Sequence, residues 1–194
     1  EIATKGKIKN DEVIRPLSKP FAAEGGIAVL KGNIANSSVV KQTAVEPDMM
    51  KFTGPAKVYT SEEAVMKAVE DKKIKDGDVV VLNFMGSAGA PGIPEMLTPT
   101  SVISGAGLKV ALLTDGRFSG GTRGACVGHI EPEAYNGGAI GAVKNGDVIE
   151  IDIPRRKLNA KVSQAELKKR LKTSRTPKRK MTPFLEKFRQ DNSK

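Results

Sequence analysis

A mixed α/β fold, built on a barrel or two-sheet core flanked by helices, is the class this sequence predicts, and three observations carry it. About seven short strand signals stand against two or three helical ones, a ratio that a doubly wound sheet, with helix and strand alternating one for one, does not accommodate. The run Val79-Val80-Val81-Leu82 is apolar at every position and reads as a strand buried on both faces. Two glycine-rich loops, 86–94 and 116–124, each leave a strand of this kind, which is where sheet proteins place ligands.

Taken in order, "IAVLKGNIA" and the β-branched run "SSVVKQTAV" predict two strands around a turn at Lys31-Gly32-Asn33. "AKVYT" at 56–60 predicts a third strand that ends on Thr60, an N-cap with Glu63 three residues later. The helix it opens, 61–71, places Ala64, Val65, Ala68 and Val69 on one face. "DGDVVVLNF" is the next strand. The loop 86–94, with three Gly and two Pro, then leads to a short helix beginning near Pro94 or Glu95, so that Glu95 falls in its first turn. "KVALLTD" is a strand, followed by "GRFSGGTRG". After Gly137-Gly138 come a strand "AIGAV", a "KNGD" hairpin signal and the strand "DVIEIDIP". "LNAKV" adds one more strand, and Ser163 with Glu166 caps the helix "QAELKKRLK".

The bulk composition is that of a globular chain: 39% hydrophobic residues over 194 positions, enough for one sizeable core although aromatics make up only 4%. The single cysteine, Cys126, excludes an internal disulfide framework and cannot alone hold a zinc ion or an iron-sulfur cluster. Its apolar neighbours favour a buried, inert thiol. No stretch approaches the roughly 18 consecutive apolar residues of a membrane helix, so a cytoplasmic location with no membrane partner is the expectation. The chain opens on Glu1 rather than Met and reads as a fragment of a longer protein.

A formal charge of +10 invites a nucleic-acid reading until it is located. Residues 165–194 hold 11 Lys/Arg against 3 Asp/Glu, leaving 21 against 19 in the rest, so the body is nearly neutral. The run "KKRLKTSRTPKRK" lacks interleaved aromatics and any nucleic-acid motif, which makes it a solvated tail in preference to a specific binder. Phe184 and Phe188, at helical spacing, are expected to dock its end onto a core or a partner.

Two side chains on the glycine-rich loops are candidates for chemistry. Glu95 is either a metal ligand or a carboxylate favoured by a helix dipole. Ser119 precedes Gly120-Gly121, whose N–H groups can turn inward as an anion nest because no Cβ blocks them. The anion is a bound carboxylate or phosphate, or an alkoxide on Ser119 itself aided by Arg117 or a divalent cation; a plain glycine turn remains the alternative. A nucleophile elbow would need Gly where Arg117 stands, and no Gly-Lys-Ser/Thr completes a P-loop. His129, the one histidine, reads as a hydrogen-bonded structural residue, and Asp115 as the cap of its own turn.

Four blocks, "EVIRPLSKPFAAEGGIAVLKGNIA", "GDVVVLNFMGSAGAPGIPEMLTPTS", "GLKVALLTDGRFSGGTRGACVGHIEPEA" and "GGAIGAVKNGDVIEIDIPRRKLNAKVSQAEL", together resemble the C-terminal domain of the dihydroxy-acid dehydratase family, and less closely its sugar-acid members such as 6-phosphogluconate dehydratases. The resemblance implies a swivelling β/β/α domain with a barrel-like mixed β core over residues 1–171, a basic tail at 172–194, and a separate N-terminal domain, outside this chain, that carries the iron-sulfur cysteines and packs against it. It implies dehydration of a 2,3-dihydroxy acid to a 2-oxo acid in branched-chain amino-acid biosynthesis, with Mg²⁺ and the cluster as cofactors and a homodimer as the assembly. Carried onto this chain, Ser119 is the base, Glu95 a magnesium ligand, and Gly120 and Thr122 line the substrate pocket. "SGGT" has one glycine more than the "SGT" of sugar-acid members, which tilts the substrate toward the branched chain. "GNIANSS" and "NFMGS" depart from the family pattern in loops beside the implied site. The alternatives are a sugar-acid dehydratase, or a non-catalytic swivelling module whose basic tail engages nucleic acid.

Overall fold

The unbroken apolar run of 79–82 forms a strand with two cores, one on each side. In the computed structural model, which describes residues 6–193, Val79 and Val81 point into one buried cluster with Ala111, Leu113, Val127, Ile149 and Ile151. Val80 and Leu82 point into a second cluster with Val65, Ala68, Ile103 and Leu112. Successive strand side chains alternate faces, so a strand lying between two apolar layers has no polar position to spare. Each fully buried Val or Leu contributes about 1.5–3 kcal/mol.

The strands are β1 (Ala28–Val29), β2 (Ser37–Val40), β3 (Lys51–Tyr59), β4 (Val79–Leu82), β5 (Glu95–Met96), β6 (Ala111–Thr114), β7 (Arg117–Phe118), β8 (Cys126–Glu131), β9 (Val148–Asp152) and β10 (Lys157–Ala160). Eight form one sheet in the order β1-β2-β8-β6-β4-β3-β9-β10, and β5 with β7 forms a separate ribbon. The middle of the sheet, β8-β6-β4-β3, is parallel, and the flanking pairs are antiparallel. The sheet curls until its edges meet: the Lys31 N–H donates to the Arg156 carbonyl at 3.0 Å and the Leu158 N–H to the Lys31 carbonyl at 2.9 Å. A barrel-like mixed β core is therefore what the chain builds. At Gly32 the chain crosses so close to the Leu158 carbonyl that a Cβ would overlap it, and only glycine fits.

Helices α1 (Glu62–Glu70) and α2 (Thr98–Gly105) make the crossovers β3 to β4 and β4 to β6 and pack together over the second cluster. Helix α3 (Gln164–Leu171) buries Leu167, and α4 (Pro183–Asn192) ends the chain. The Ser163 cap is as expected, its Oγ accepting from the Glu166 N–H at 3.2 Å. The α1 cap is Ser61 and not Thr60: the Ser61 Oγ accepts from the Ala64 N–H, and Thr60 only completes the exit from β3.

Three further expectations change. Residues Ala139–Ala142 form a 3-10 turn and not a strand, because glycines at 138 and 141 allow tight bonds such as Gly141 N–H to Gly138 carbonyl, while Ile140 and Ala142 still reach the barrel core. "KNGD" is accordingly a turn with no partner strand before it; Asn145 Oδ1 instead accepts from the Val58 N–H at 2.6 Å. The segment 126–131, given no element in the sequence reading, is β8, which lies between β2 and β6.

The basic C-terminal segment runs back over the body. Arg179 Nη2 donates to the Thr60 carbonyl at 2.7 Å and the Phe84 carbonyl at 3.2 Å. Arg189 Nε donates to the Ala88 carbonyl at 2.8 Å, and its guanidinium lies 5.0 Å from the Tyr135 ring centre. Of the two aromatics expected to dock it, Phe188 is half-buried and Phe184 is 76% exposed. Among the described residues no helix is long and apolar enough to cross a membrane.

Candidate functional site

Because β4 and β6 are adjacent and parallel, the two glycine-rich loops leave the sheet at the same end, where parallel sheets generally bind ligands. The loops then pair with each other. The β5–β7 ribbon sets Glu95 opposite Arg117 and Met96 opposite Phe118. This places Glu95 in a strand, three residues before the first residue of α2, and not in a helical first turn; pairing with β7 overrides the helix signal of Pro94, and the helix starts at Thr98 with Pro99 in its first turn. The helix-dipole reading of Glu95 falls with it. Met96 is fully buried while Glu95 is exposed, and the Glu95 side chain makes no hydrogen bond or ion pair among the described residues. Its carboxylate is free for a ligand.

Ser119 follows β7 directly, so Glu95, on the paired strand, stands opposite the residue two before Ser119. Ser119 is half-buried; the Gly121 N–H points at its Oγ at 3.4 Å, and the Thr122 N–H closes the turn on the Ser119 carbonyl at 3.0 Å. A cavity of about 170 Å³ opens beside it, lined among others by Lys41, Phe118, Ser119, Gly120, Thr122 and His129. Thr122 Oγ1 is buried in this wall with no hydrogen-bond partner, and a buried hydroxyl without a partner costs about 1–3 kcal/mol unless something satisfies it. Gly120 leaves the cavity mouth open, with no atom within 4 Å of where a Cβ would stand. Arg117, considered as a helper for a Ser119 anion, turns away and donates from Nε to the Ile93 carbonyl at 2.8 Å. A larger cleft of about 400 Å³ beside α2 includes Lys109 and Arg123, but Lys109 is already paired with Asp48 at 2.6 Å. The Ser119 cavity also borders Gly120 and the unpartnered Thr122 hydroxyl.

Two buried carboxylates that the sequence did not assign to this work hold the first loop in shape. Asp115, 4% exposed, accepts from the Met85 N–H on Oδ1 at 2.8 Å and from the Phe84 and Ala134 N–H groups on Oδ2 at 3.1 and 2.8 Å. It clamps the other loop instead of capping its own turn, where the Thr114 hydroxyl serves Gly116. Glu133, 3% exposed, accepts from the Ala88 and Gly89 N–H groups. Phe84 is held at φ 60, a conformation that non-glycine residues keep only when their surroundings fix it. Burial pushes the Asp115 pKa up to about 6, with the Glu133 charge adding to the rise and the three N–H groups opposing it.

His129 also departs from expectation. Its backbone N–H bonds the Gly116 carbonyl at 2.8 Å, but its side chain is exposed on the cavity wall and makes no hydrogen bond among the described residues, with the backbone at φ 50. Lys41 on the same wall was not singled out from the sequence. Cys126 is the buried thiol expected, its pKa pushed up to about 12 by desolvation, and it suits neither nucleophilic work nor metal binding.

Among the described residues no group of three or more His, Cys, Asp or Glu side chains is arranged to hold a metal ion. A buried protonated thiol does not fit an iron-sulfur cluster. One exposed, unpaired carboxylate fits a single ligand position of a hard divalent cation whose other ligands lie elsewhere.

The family model described as dihydroxy-acid/6-phosphogluconate dehydratase C-terminal matches residues 12–194. Among similar proteins, the dihydroxy-acid dehydratase of Thermodesulfovibrio yellowstonii is 55% identical over 184 residues, which are 93% of this chain and 34% of that protein. That of Methanosarcina barkeri is 56% identical over 182 residues, 92% of this chain and 33% of the relative. That of Archaeoglobus fulgidus is 51% identical over 190 residues, 97% and 35%. The chain thus spans about one third of the length of the relatives it matches.

Proposed function

The chain belongs to the dihydroxy-acid/6-phosphogluconate dehydratase C-terminal family, and from that premise we propose that it supplies a serine base and one magnesium ligand to an enzyme that dehydrates 2,3-dihydroxy acids to 2-oxo acids. In this reading residues 1–171 are the swivelling domain and 172–194 a basic tail. The observation that carries it is the Ser119 hydroxyl, facing the Gly121 N–H at 3.4 Å at the wall of a cavity on the ribbon that also carries Glu95.

Ser119 as an alkoxide takes the proton from C2 of the substrate. The C–H electrons form the C2–C3 double bond, the C3–O bond breaks, and the hydroxyl leaves as water with a proton supplied from outside this chain. The resulting enol gains a proton at C3 and loses one from its oxygen to become the 2-oxo acid. A serine does this only if its anion is stabilised, and the Gly121 N–H that faces its Oγ is the donor this chain offers. Thr122 Oγ1, buried without a partner, is placed to bond the substrate, and Gly120 keeps room for it. Mg²⁺, when bound, supplies the Lewis acidity that holds a carboxylate and hydroxyl of the substrate, and Glu95 would be the residue of this chain that holds the ion.

In this reading the remaining magnesium ligands and the iron-sulfur cysteines belong to a domain outside this chain, which spans about a third of the relatives' length, and the assembly is a homodimer. The enzyme is cytoplasmic in this reading. The shared name of the relatives favours a dihydroxy acid as substrate, and the Gly120-Gly121 pair favours a branched-chain one over a sugar acid. The test is the full-length protein assayed with both: kcat/KM is expected to favour the branched 2,3-dihydroxy acid by at least about a hundredfold, since a pocket built for an apolar side chain leaves the extra hydroxyls of a sugar acid unpaired. A preference for the sugar acid would reverse the assignment. Glu95→Gln in the same protein is expected to raise the Mg²⁺ concentration for half-activity by at least about tenfold, the scale at which loss of one anionic ligand weakens a hard-cation site; an unchanged titration removes Glu95 from the metal.

A further inference from the structure

The peptide that faces Ser119 is the middle peptide of the turn that the Thr122 N–H closes on the Ser119 carbonyl at 3.0 Å, and two side chains bond its polar ends. Its two ends are the Gly120 carbonyl and the Gly121 N–H, which point in opposite directions because a peptide bond is planar and trans. The N–H end faces Ser119 Oγ at 3.4 Å. At the carbonyl end, Lys41 Nζ donates to the Gly120 oxygen at 3.3 Å. A Cβ at Gly120 would meet nothing within 4 Å and one at Gly121 only Ser119 Oγ, at 4.0 Å, and with glycine on both sides the backbone is free to present this peptide in either sense within the turn.

Lys41 is well fixed for the purpose. It directly follows β2, and the turn after it is tied to the far end of the serine loop by the Gly124 N–H donating to the Ala44 carbonyl at 2.8 Å. Gln42 beside it accepts from Arg156 Nη1 at 2.7 Å, which anchors the turn to the barrel. The segment 41–44 thus grips the loop 120–124 at both ends.

We propose that Lys41 is a positioning residue for the serine base: its ammonium holds the Gly120 carbonyl and so keeps the N–H at the other end of the same peptide turned toward Ser119 Oγ. A cation on the carbonyl also polarises the amide, which makes that N–H a stronger donor to an alkoxide, as in any chain of hydrogen bonds. The role matters for proton abstraction and not for ground-state binding, because the demand for the N–H grows only as Ser119 carries charge.

The inference rests on the reading of Ser119 as the base, and one set of variants of the full-length enzyme separates the two. Lys41→Met is expected to lower kcat by about tenfold to a hundredfold, less than direct removal of an oxyanion donor, with KM changed by less than about threefold. The isotope effect on kcat with substrate deuterated at C2 should rise, and Lys41→Arg, which keeps a donor to the carbonyl, should recover most of the rate. Wild-type kcat and an unchanged isotope effect in Lys41→Met, with Ser119→Ala inactive, would overturn the role of Lys41 and leave the serine standing. Turnover by Ser119→Ala would overturn both.

Discussion

Ser119→Ala in the full-length protein is expected to lower kcat for dehydration by at least about a thousandfold, since a positioned base and the charge it carries are lost together. Iron-sulfur absorbance and the Mg²⁺ titration should stay as in the parent, because Ser119 sits at the end of the ribbon and its Oγ accepts a single long hydrogen bond. Removing that oxygen frees only the Gly121 N–H, which lies on an exposed glycine and can turn to water. The variant should therefore fold and bind substrate. Full turnover by it would take Ser119 out of the mechanism and return the loop to a plain glycine turn. Loss of the cluster together with activity would mean that the loop is structural, and the reading of Ser119 as the base would fail on that result as well.

Gly120 and Gly121 of this loop differ from Gly86 and Gly89 of the loop before it. Gly86 and Gly89 lie so close to Glu133 and to the Phe84 backbone that a Cβ on either would collide. They are small because the first loop is packed tightly onto buried carboxylates. Gly120 and Gly121 meet almost nothing, so packing does not demand glycine there, and in the proposed function their smallness leaves room for substrate.

That difference marks where sequence reading stops. Apolar runs report burial directly, so Val79–Leu82 and the strand excess were enough to point to a two-faced core and a barrel. Ser119 was legible as a candidate because hydroxyl and glycines are neighbours in the chain. Glu95 was legible as a residue but misplaced as a helix start, because its strand partner, Arg117, lies in the next loop and no local signal announces it. β8 was missed because Gly128 and His129, at φ 50, interrupt the strand pattern while its pairing with β2 and β6 persists. Lys41 and the Asp115 clamp depend on contacts across 79 and about 30 positions of sequence, and nothing at either residue hints at its partner.

Asp115→Ala is the substitution expected to cost the most stability. It orphans the N–H groups of Phe84, Met85 and Ala134 in a site closed to water, at about 1–3 kcal/mol each, so a loss above about 4 kcal/mol is expected by thermal or urea unfolding. Asp115→Asn is no remedy. Its single carbonyl oxygen serves one side of the clamp and its amide meets the N–H groups on the other, so it should still be destabilised by roughly 2 kcal/mol. The two variants also carry a pH signature. The folded-state pKa of about 6 lies above the ordinary value of 3.8, so between these limits the folded protein binds a proton that the unfolded chain releases. The stability this group contributes is present in full below pH 3.8 and is lost as pH rises through about 6, a change on the order of 3 kcal/mol. Unfolding free energies measured from pH 4 to pH 7 should therefore fall more steeply in the parent than in Asp115→Asn, which has nothing to titrate there. Parallel pH profiles would mean that the three N–H groups outweigh burial and hold Asp115 ionised throughout, in which case the clamp stands but its pH dependence does not.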